Sequence, residues 1–213
     1  MMEIASFVMN EFQENTYIVF DETRECVVVD PGCFRPSEQQ EIKQFIAEKN
    51  LKPVALLNTH CHVDHVIGNT FVADTFRIPL YMHEKELFTY DDTARWTALF
   101  GIPPLERPEQ TIFISEKDEI VFGKSTLRIA FTPGHSIGSV SFYNLEEQFA
   151  LVGDVIFRES IGRTDLAGGN FETLMNSIQS QVMIWPDEMR LLSGHGYETT
   201  VGYERKFNPF LNP

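Results

Sequence analysis

From Ile4 to Asp30 the apolar and polar positions alternate in short runs. These are Ile4–Met9, Thr16–Phe20 and Cys26–Val29, separated by polar turn residues and closed by Asp30-Pro31-Gly32. A period of two with such punctuation predicts three short β-strands. The pattern then changes. Ser37-Glu38-Gln39-Gln40 has the form of a capping box, and Ile42, Phe45 and Ile46 follow at helical spacing up to Asn50, which predicts an amphipathic helix. Pro53 to Asn58 reads as a buried strand that delivers the chain into a histidine cluster at Thr59 to His65, and Ile67, Phe71, Val72 and Phe76 mark one face of a second helix. Between Glu84 and Gln110 the texture is mixed and interrupted by Pro103, Pro104 and Pro108, so one or two short helices and a surface loop are expected, with a lid as one use for them. The β pattern returns in Glu119–Phe122, Thr126–Phe131, Gly138–Tyr143 and Phe149–Val152; Phe171–Val182 reads as a helix with Asn170 as its N-cap, and Met189–Ser193 as a last strand. Strand runs alternating with helices in both halves predict an α/β fold of sheets covered by helices. No linker or low-complexity stretch divides the chain, so residues 1–213 are expected to form a single domain.

Composition narrows the range of partners. The 213 residues carry 31 Asp plus Glu against 17 Lys plus Arg, a formal net charge of −14, and no Lys/Arg run. Phosphate backbones and anionic bilayers are gripped by basic surfaces, so neither nucleic acid nor a membrane is an expected partner. A 43% hydrophobic content with 18 Phe suffices for a substantial core. Cys26, Cys33 and Cys61 are odd in number and confined to the first third of the chain, which disfavours a disulfide framework. Met1 to Phe12 shows no basic segment of the signal-peptide type, and the longest apolar runs are strand-sized. A cytoplasmic location is the resulting expectation.

The chemistry concentrates in the histidines. Of six, three fall within His60-Cys61-His62-Val63-Asp64-His65. If the chain leaves its strand extended, His60 and His62 point to one side and Cys61 to the other, while Asp64 and His65, at the turn into the helix, can face the same pocket. Imidazoles with a carboxylate are a ligand set suited to Zn²⁺ and tolerated by Fe or Mn. His135 in Thr132-Pro133-Gly134-His135 and His195 in Ser193-Gly194-His195-Gly196 each follow an apolar strand and lie among glycines, and Asp154 in Val152-Gly153-Asp154 has the same context. Five histidines and two aspartates therefore fall at strand ends; His83, beside Glu84, has no such company and reads as structural.

With these residues the chain resembles the metallo-β-lactamase-fold hydrolases, and within them the glyoxalase II (hydroxyacylglutathione hydrolase) branch. The resemblance rests on Thr59 to His65, Pro133-Gly134-His135, Gly153-Asp154 and Gly194-His195-Gly196. It extends to Asn15-Thr16-Tyr17, Asp30-Pro31-Gly32, the stretch Ser160 to Asp165, and Gly168-Gly169. It implies a four-layer αβ/βα sandwich with two divalent metal ions, zinc first and iron or manganese next, at one edge. In the family's arrangement His60, His62 and His135 hold one metal, Asp64, His65 and His195 the other, and Asp154 bridges. Lactamases of the commonest type place a downstream cysteine on the second metal; no cysteine follows Cys61 here. Diiron oxygen-reducing relatives put Glu where this chain has His62. Full-length glyoxalase II carries a helical, glutathione-contacting C-terminal domain, and the tail after His195 resembles the short relatives that lack it.

The resemblance thus implies hydrolysis of a small anionic thioester by metal-activated water, with Asp64 orienting or accepting from that water. A mononuclear iron sulfur (persulfide) dioxygenase using His60, His135 and Asp154, and a non-catalytic metal-binding scaffold, are the alternatives. For the substrate carboxylate Arg163 is the candidate anchor, against an internal Arg163–Asp165 ion pair; Arg158, Lys206 and Tyr143 rank below it. The Trp96 to Phe100 region packs the core first, or else covers the pocket or forms a dimer contact.

Overall fold

The computed structural model describes residues 1–212. Its first half builds one six-stranded sheet in sequence order: β1 (Glu3–Met9), β2 (Glu14–Phe20), β3 (Glu25–Val29), β4 (Lys52–Leu57), β5 (Leu80–His83) and β6 (Thr111–Ile114). The first three pair antiparallel through short turns, whereas β3 to β6 run parallel and need helical crossovers. These are α1 (Pro36–Glu48), the pair α2 (Val63–Val66) and α3 (Asn69–Phe76), and α4 (Leu87–Phe100). The second half contributes β7 (Glu119–Phe122), β8 (Ser125–Phe131), β9 (Val140–Asn144), β10 (Phe149–Gly153), a small hairpin of β11 (Ile156–Phe157) and β12 (Ser160–Ile161), and α5 (Phe171–Ser177), which continues into a wider π-helical turn. β13 (Arg190–Ser193), β14 (Thr199–Thr200) and α6 (Val201–Phe207) follow. Its sheet runs β14-β13-β10-β9-β8-β7.

Three apolar clusters define the layers. One packs the outer face of the first sheet against its helices, with Val28, Leu56 and Leu80 beneath Ile42, Ile46 and Val72. A second lies between the sheets, where Val27, Val29 and Leu57 meet Phe122, Phe142 and Leu151. The third joins the outer face of the second sheet to α5 and α6 through Ala150, Val152, Leu174, Ile178 and Val201. Alternate residues of one strand, Val27 and Val28 for example, serve opposite faces, so the central strands are apolar throughout. This is the four-layer αβ/βα sandwich expected. The three cysteines are free and buried, and among the described residues no helix is long and apolar enough to cross a membrane.

The differences from the sequence pattern are local. The first helix begins at Pro36 with Arg35 as N-cap, not at Ser37, because Pro36 supplies a helical φ and the Glu38 carboxylate accepts from the Phe34 and Arg35 amides at 2.9 and 2.8 Å. The second is split, with Ile67 in the turn between α2 and α3. β6, the hairpin β11–β12 and the closing pair β14–α6 were not expected: β11, β12 and β14 are two residues long, too short to show a period, and β6 exposes the adjacent Ile112 and Phe113 and so does not alternate.

Far from the strand ends that carry the histidines, Asp21 ties the two sheets together. It accepts from Thr23 Oγ1 and N at 2.5 and 2.9 Å, from the Lys124 amide at 2.7 Å and from Ser125 Oγ at 2.9 Å. Burial opposes its charge, but these donors outweigh that and pull the carboxyl down from 3.8 to about 2. A depressed carboxyl stabilises the fold above its unfolded value and ceases to do so as pH falls through its folded one. Asp21→Asn is therefore expected to cost about 1–2 kcal/mol at pH 7. In urea unfolding the deficit should shrink between pH 4 and pH 2; a deficit equal at pH 7 and pH 3 would refute this role for the charge.

Candidate metal centre

The parallel directions of β3 with β4, and of β10 with β13, send their C-terminal ends to a common edge, where irregular backbone can carry polar groups. His60 follows β4, and α2 is a single turn whose N-cap is His62 and whose first turn carries Asp64 and His65. His135 follows β8, Asp154 follows β10 and His195 follows β13. All seven predicted positions come together. His60, His62 and His135 bring ligand atoms within 4.8 Å of one another, as do Asp64, His65 and His195. Asp154 lies between the sets: Oδ1 is 3.4 Å from His65 Nε2, and Oδ2 is 3.5 Å from His135 Nε2 and 3.6 Å from His195 Nε2. Asp64 Oδ2 sits 3.2 Å from His195 Nε2 and 3.7 Å from His65 Nε2.

The far nitrogens of these rings are held. His60 Nδ1 meets Thr59 Oγ1 at 3.1 Å, His65 Nδ1 meets Asp30 Oδ2 at 3.2 Å, His135 Nδ1 donates to the Arg163 carbonyl at 2.8 Å and His195 Nδ1 to the Phe12 carbonyl at 3.1 Å. Such partners fix a tautomer with the lone pair on the inward nitrogen. Inward, His60 Nε2, His65 Nε2 and Asp154 Oδ1 are buried without any hydrogen-bond partner, and His62 Nδ1 faces His135 Nε2 at 2.8 Å. Orphaned buried polar atoms are costly unless something binds them, and this donor set of imidazoles and carboxylates fits divalent zinc, iron or manganese.

The two sets differ electrically. Burial and the neighbouring imidazoles push His60 down; burial and His135 push His62 down to about 3; burial also outweighs Asp154 at His135. These rings are neutral with free lone pairs. At His65 and His195 burial works the same way, but Asp64 and Asp154 overcome it and raise both. Burial likewise opposes the charge of Asp64 and Asp154, and the facing histidines overcome it, keeping both ionised.

The family model for the metallo-beta-lactamase superfamily matches residues 9–195, from the end of β1 to the last histidine of this centre. The chain belongs to that superfamily. It is 40% identical over 202 residues to the probable metallo-hydrolase YqgX of Bacillus subtilis, covering 94% of this chain and 93% of that one. Over 213 residues it is 32% identical to the hydroxyacylglutathione hydrolase GloC of Haemophilus influenzae, covering 99% of each. Among solved structures, the BLEG-1 B3 metallo-beta-lactamase superposes with a TM-score of 0.87 at 33% identity, over 99% of this chain and all of that one. A di-iron-bound form of TTHA1623 gives 0.86 at 31%, over 97% and 100%. As a member of this superfamily of metal-dependent hydrolases the chain carries the metal-binding cluster at its expected edge.

Around the metallo-beta-lactamase centre lies a supporting shell that the histidine pattern did not reveal. Asp30, at the end of β3 with φ +49°, accepts from Thr59 N at 2.7 Å, Thr59 Oγ1 at 2.5 Å and His65 Nδ1 at 3.2 Å, and so fixes both ends of the His60 to His65 segment. Glu86, fully buried at the start of α4, accepts from the Cys61 and Gly138 amides at 2.7 Å and from Ser136 Oγ at 2.5 Å, joining that segment to the His135 loop. Asn15 Nδ2 and Tyr17 OH donate to the Ser193 carbonyl at 3.0 and 2.7 Å and hold the His195 loop against β2. Glu14 is buried near His65, and burial pushes its carboxyl well up. The only advance signals are Asp30-Pro31-Gly32, a turn closing a strand run, and Asn15-Thr16-Tyr17, both part of the family resemblance; nothing in the sequence marks Glu86 or Glu14. Two glycines are required by space or backbone. A Cβ on Gly194 would stand 2.2 Å from Asp154 Oδ1, and Gly134 takes φ +134° against Leu174.

A cavity of about 580 Å³ opens from His62, Asp64, His135, Asp154 and His195 toward α4 and the β11–β12 hairpin. Arg163 lines it, but its guanidinium is taken bidentately by Asp165, Nε to Oδ1 at 2.7 Å and Nη2 to Oδ2 at 2.8 Å. Its carbonyl, rather than its charge, reaches the centre through His135. Arg158 lies instead over the Tyr203 ring, Lys206 over Phe207, and Tyr143 packs on Trp185. Trp96 and Phe100 line the cavity and belong to none of the three apolar clusters, so packing the core, the first use their sequence suggests, is not their role. His83 stays apart, capping a turn by accepting from the Lys85 amide at 3.1 Å and stacking on Phe131.

Proposed function

We propose that this metallo-beta-lactamase superfamily member hydrolyses small thioesters, with His60, His62 and His135 holding one divalent metal ion, Asp64, His65 and His195 a second, and Asp154 shared between them. The observation carrying the two-metal reading is the meeting of the two donor sets at Asp154, with inward nitrogens left unpartnered. Zinc is the first choice and iron the next. Bound there, the metals supply Lewis acidity that makes water a nucleophile near neutral pH and polarises an acyl carbonyl. The residues supply the rest. The ionised Asp64, which lines the cavity, orients the attacking water and takes its proton. The carbonyls of Phe12 and Arg163 keep His195 and His135 from rotating. Among the described residues lining the cavity, every titratable side chain except Arg163 belongs to the metal-facing sets, so none is left to protonate a departing nitrogen. A thiol with a pKa near roughly 8.5 leaves as thiolate without such help. The name of the GloC relative supports the same choice.

A panel of S-acyl thiols and a chromogenic β-lactam, assayed with metal analysis of the same sample, tests the reading. Thioester turnover that scales with two metals per chain and disappears on chelation is expected; metal-free protein that still hydrolyses thioesters would sink it. The B3 metallo-beta-lactamase among the structural relatives makes β-lactam cleavage the second reading, and faster turnover of the lactam than of every thioester would favour it.

Protons compete with metal for the same nitrogens. Since Asp64 and Asp154 raise His65 and His195 above the ordinary imidazole range, that set should release its metal first as pH falls, while the neutral His60, His62 and His135 retain theirs. Dialysis at pH 5.5 should leave about one metal per chain and at pH 7.5 two; simultaneous loss of both would contradict the asymmetry.

A further inference from the structure

The wall of the cavity facing the proposed metals is aromatic. Phe12, in the β1–β2 turn, meets Phe100 edge-on at 5.2 Å between ring centroids, and Trp96 stacks on Phe100 at 6.0 Å with 17° between planes. Phe157, Ile161 and Leu166 line the same cavity. Phe12 and Phe100 are 40% and 45% exposed, so these rings are not consumed by the core. Trp96 satisfies its own polar atom within α4, Nε1 donating to Asp92 Oδ2 at 3.0 Å. Phe12 is also joined to the centre, since its carbonyl holds His195 Nδ1. Among the described residues the lining contains a single Lys or Arg, Arg163, and Asp165 neutralises it.

A thiol such as glutathione brings two carboxylates and an ammonium, and recognition of these needs placed counter-charges. Seating them against aromatic rings beside one neutralised arginine would strip water from charges without replacement. We infer that Phe12, Trp96 and Phe100 form a specificity wall for the uncharged, apolar arm of the thioester, of aromatic size, carried in either its acyl or its thiol half. The inference rests on the thioester reading above and names the substrate class of that same site. Aromatic rings stacked on such a wall gain both buried area and favourable edge-to-face geometry.

The test uses the metal-loaded protein in two arms. In the first, kcat/KM is compared for S-phenylacetyl and S-acetyl esters of N-acetylcysteamine, for S-acetyl esters of benzyl mercaptan and ethanethiol, and for S-acetylglutathione. An aromatic arm in one half or the other should raise kcat/KM at least about tenfold over its small counterpart and over the glutathione ester, the expected return for burying one ring. Phe100→Ala should erase that preference through KM while leaving the acetyl esters within about twofold. In the second arm benzyl ethyl thioether, which has no ester to cleave, is titrated against the tryptophan fluorescence of a Trp185→Phe protein, in which Trp96 alone emits. A saturable change that weakens about tenfold or more in Phe100→Ala supports the wall even if no thioester is turned over, in which case the thioester reading alone fails. Turnover of thioesters with no aromatic preference, or with preference for S-acetylglutathione, overturns the inference and leaves the thioester reading standing; no thioether-dependent change in fluorescence overturns the inference, and the thioester reading then stands or falls on turnover alone.

Discussion

Asp154→Asn is expected to lower kcat by about three orders of magnitude and to leave the protein with less than its full complement of metal. The carboxylate stands within 3.4–3.6 Å of His65, His135 and His195, so its two oxygens face both donor sets. Burial works against its charge and the three imidazoles more than compensate. An amide has almost the same shape but turns one acceptor oxygen into a donor facing ring nitrogens that must present lone pairs. Loss of a shared anionic ligand removes charge stabilisation worth several kcal/mol, and about 4 kcal/mol corresponds to a thousandfold in rate. Metal content and kcat measured on the same preparation, beside a thermal melt showing an intact fold, decide the matter. Wild-type kcat with two metals bound would remove Asp154 from the bridging role.

The second large effect is expected at a residue that touches no proposed ligand side chain. Replacing Glu86 by Ala should cost about 3–5 kcal/mol of stability, a drop of roughly 10 °C in Tm for a chain of this size. Burial pushes the Glu86 carboxyl up, while Ser136 and the Cys61 and Gly138 amides hold it back. Truncation would orphan those buried donors together and free the His60 to His65 segment from the loop that carries His135. Metal affinity should fall about 10–100-fold, the range expected when a ligand-orienting contact is lost. Glu86→Gln keeps one acceptor oxygen and should fall between wild type and Glu86→Ala in both Tm and metal affinity. A Glu86→Ala protein with unchanged Tm would show that the three donors find other partners.

The seven centre residues were legible in the sequence because each sits where an apolar strand stops, and because His60, His62 and His65 crowd into one short stretch. Strand periodicity places β1 to β4 and β7 to β10, whose residues alternate between two buried faces or between core and solvent. Strands of two residues, such as β11, β12 and β14, carry too few positions for any period, and β6, whose adjacent Ile112 and Phe113 are both exposed, does not alternate; pairing with a neighbour alone creates them. Glu86 and Glu14 were invisible for a different reason. A buried glutamate is recognisable only from donors that converge on it, and those of Glu86 are backbone amides and a serine 25 to 52 positions away in sequence. Arg163 illustrates the reverse: its ion pair with Asp165, two residues on, was readable from the sequence, and the structure gives the guanidinium to that pair.

The burial of all three thiols carries a practical consequence. Burial pushes Cys26 and Cys33 up to about 12, and Cys61, enclosed and beside Glu86, moves the same way. Only the thiolate reacts with alkylating and oxidising reagents, so the native fold offers them almost no substrate. A single cysteine introduced at an exposed position such as Tyr197, 83% accessible at the mouth of the His195 loop, would thus accept a spectroscopic label without first stripping the chain of its own sulfhydryls.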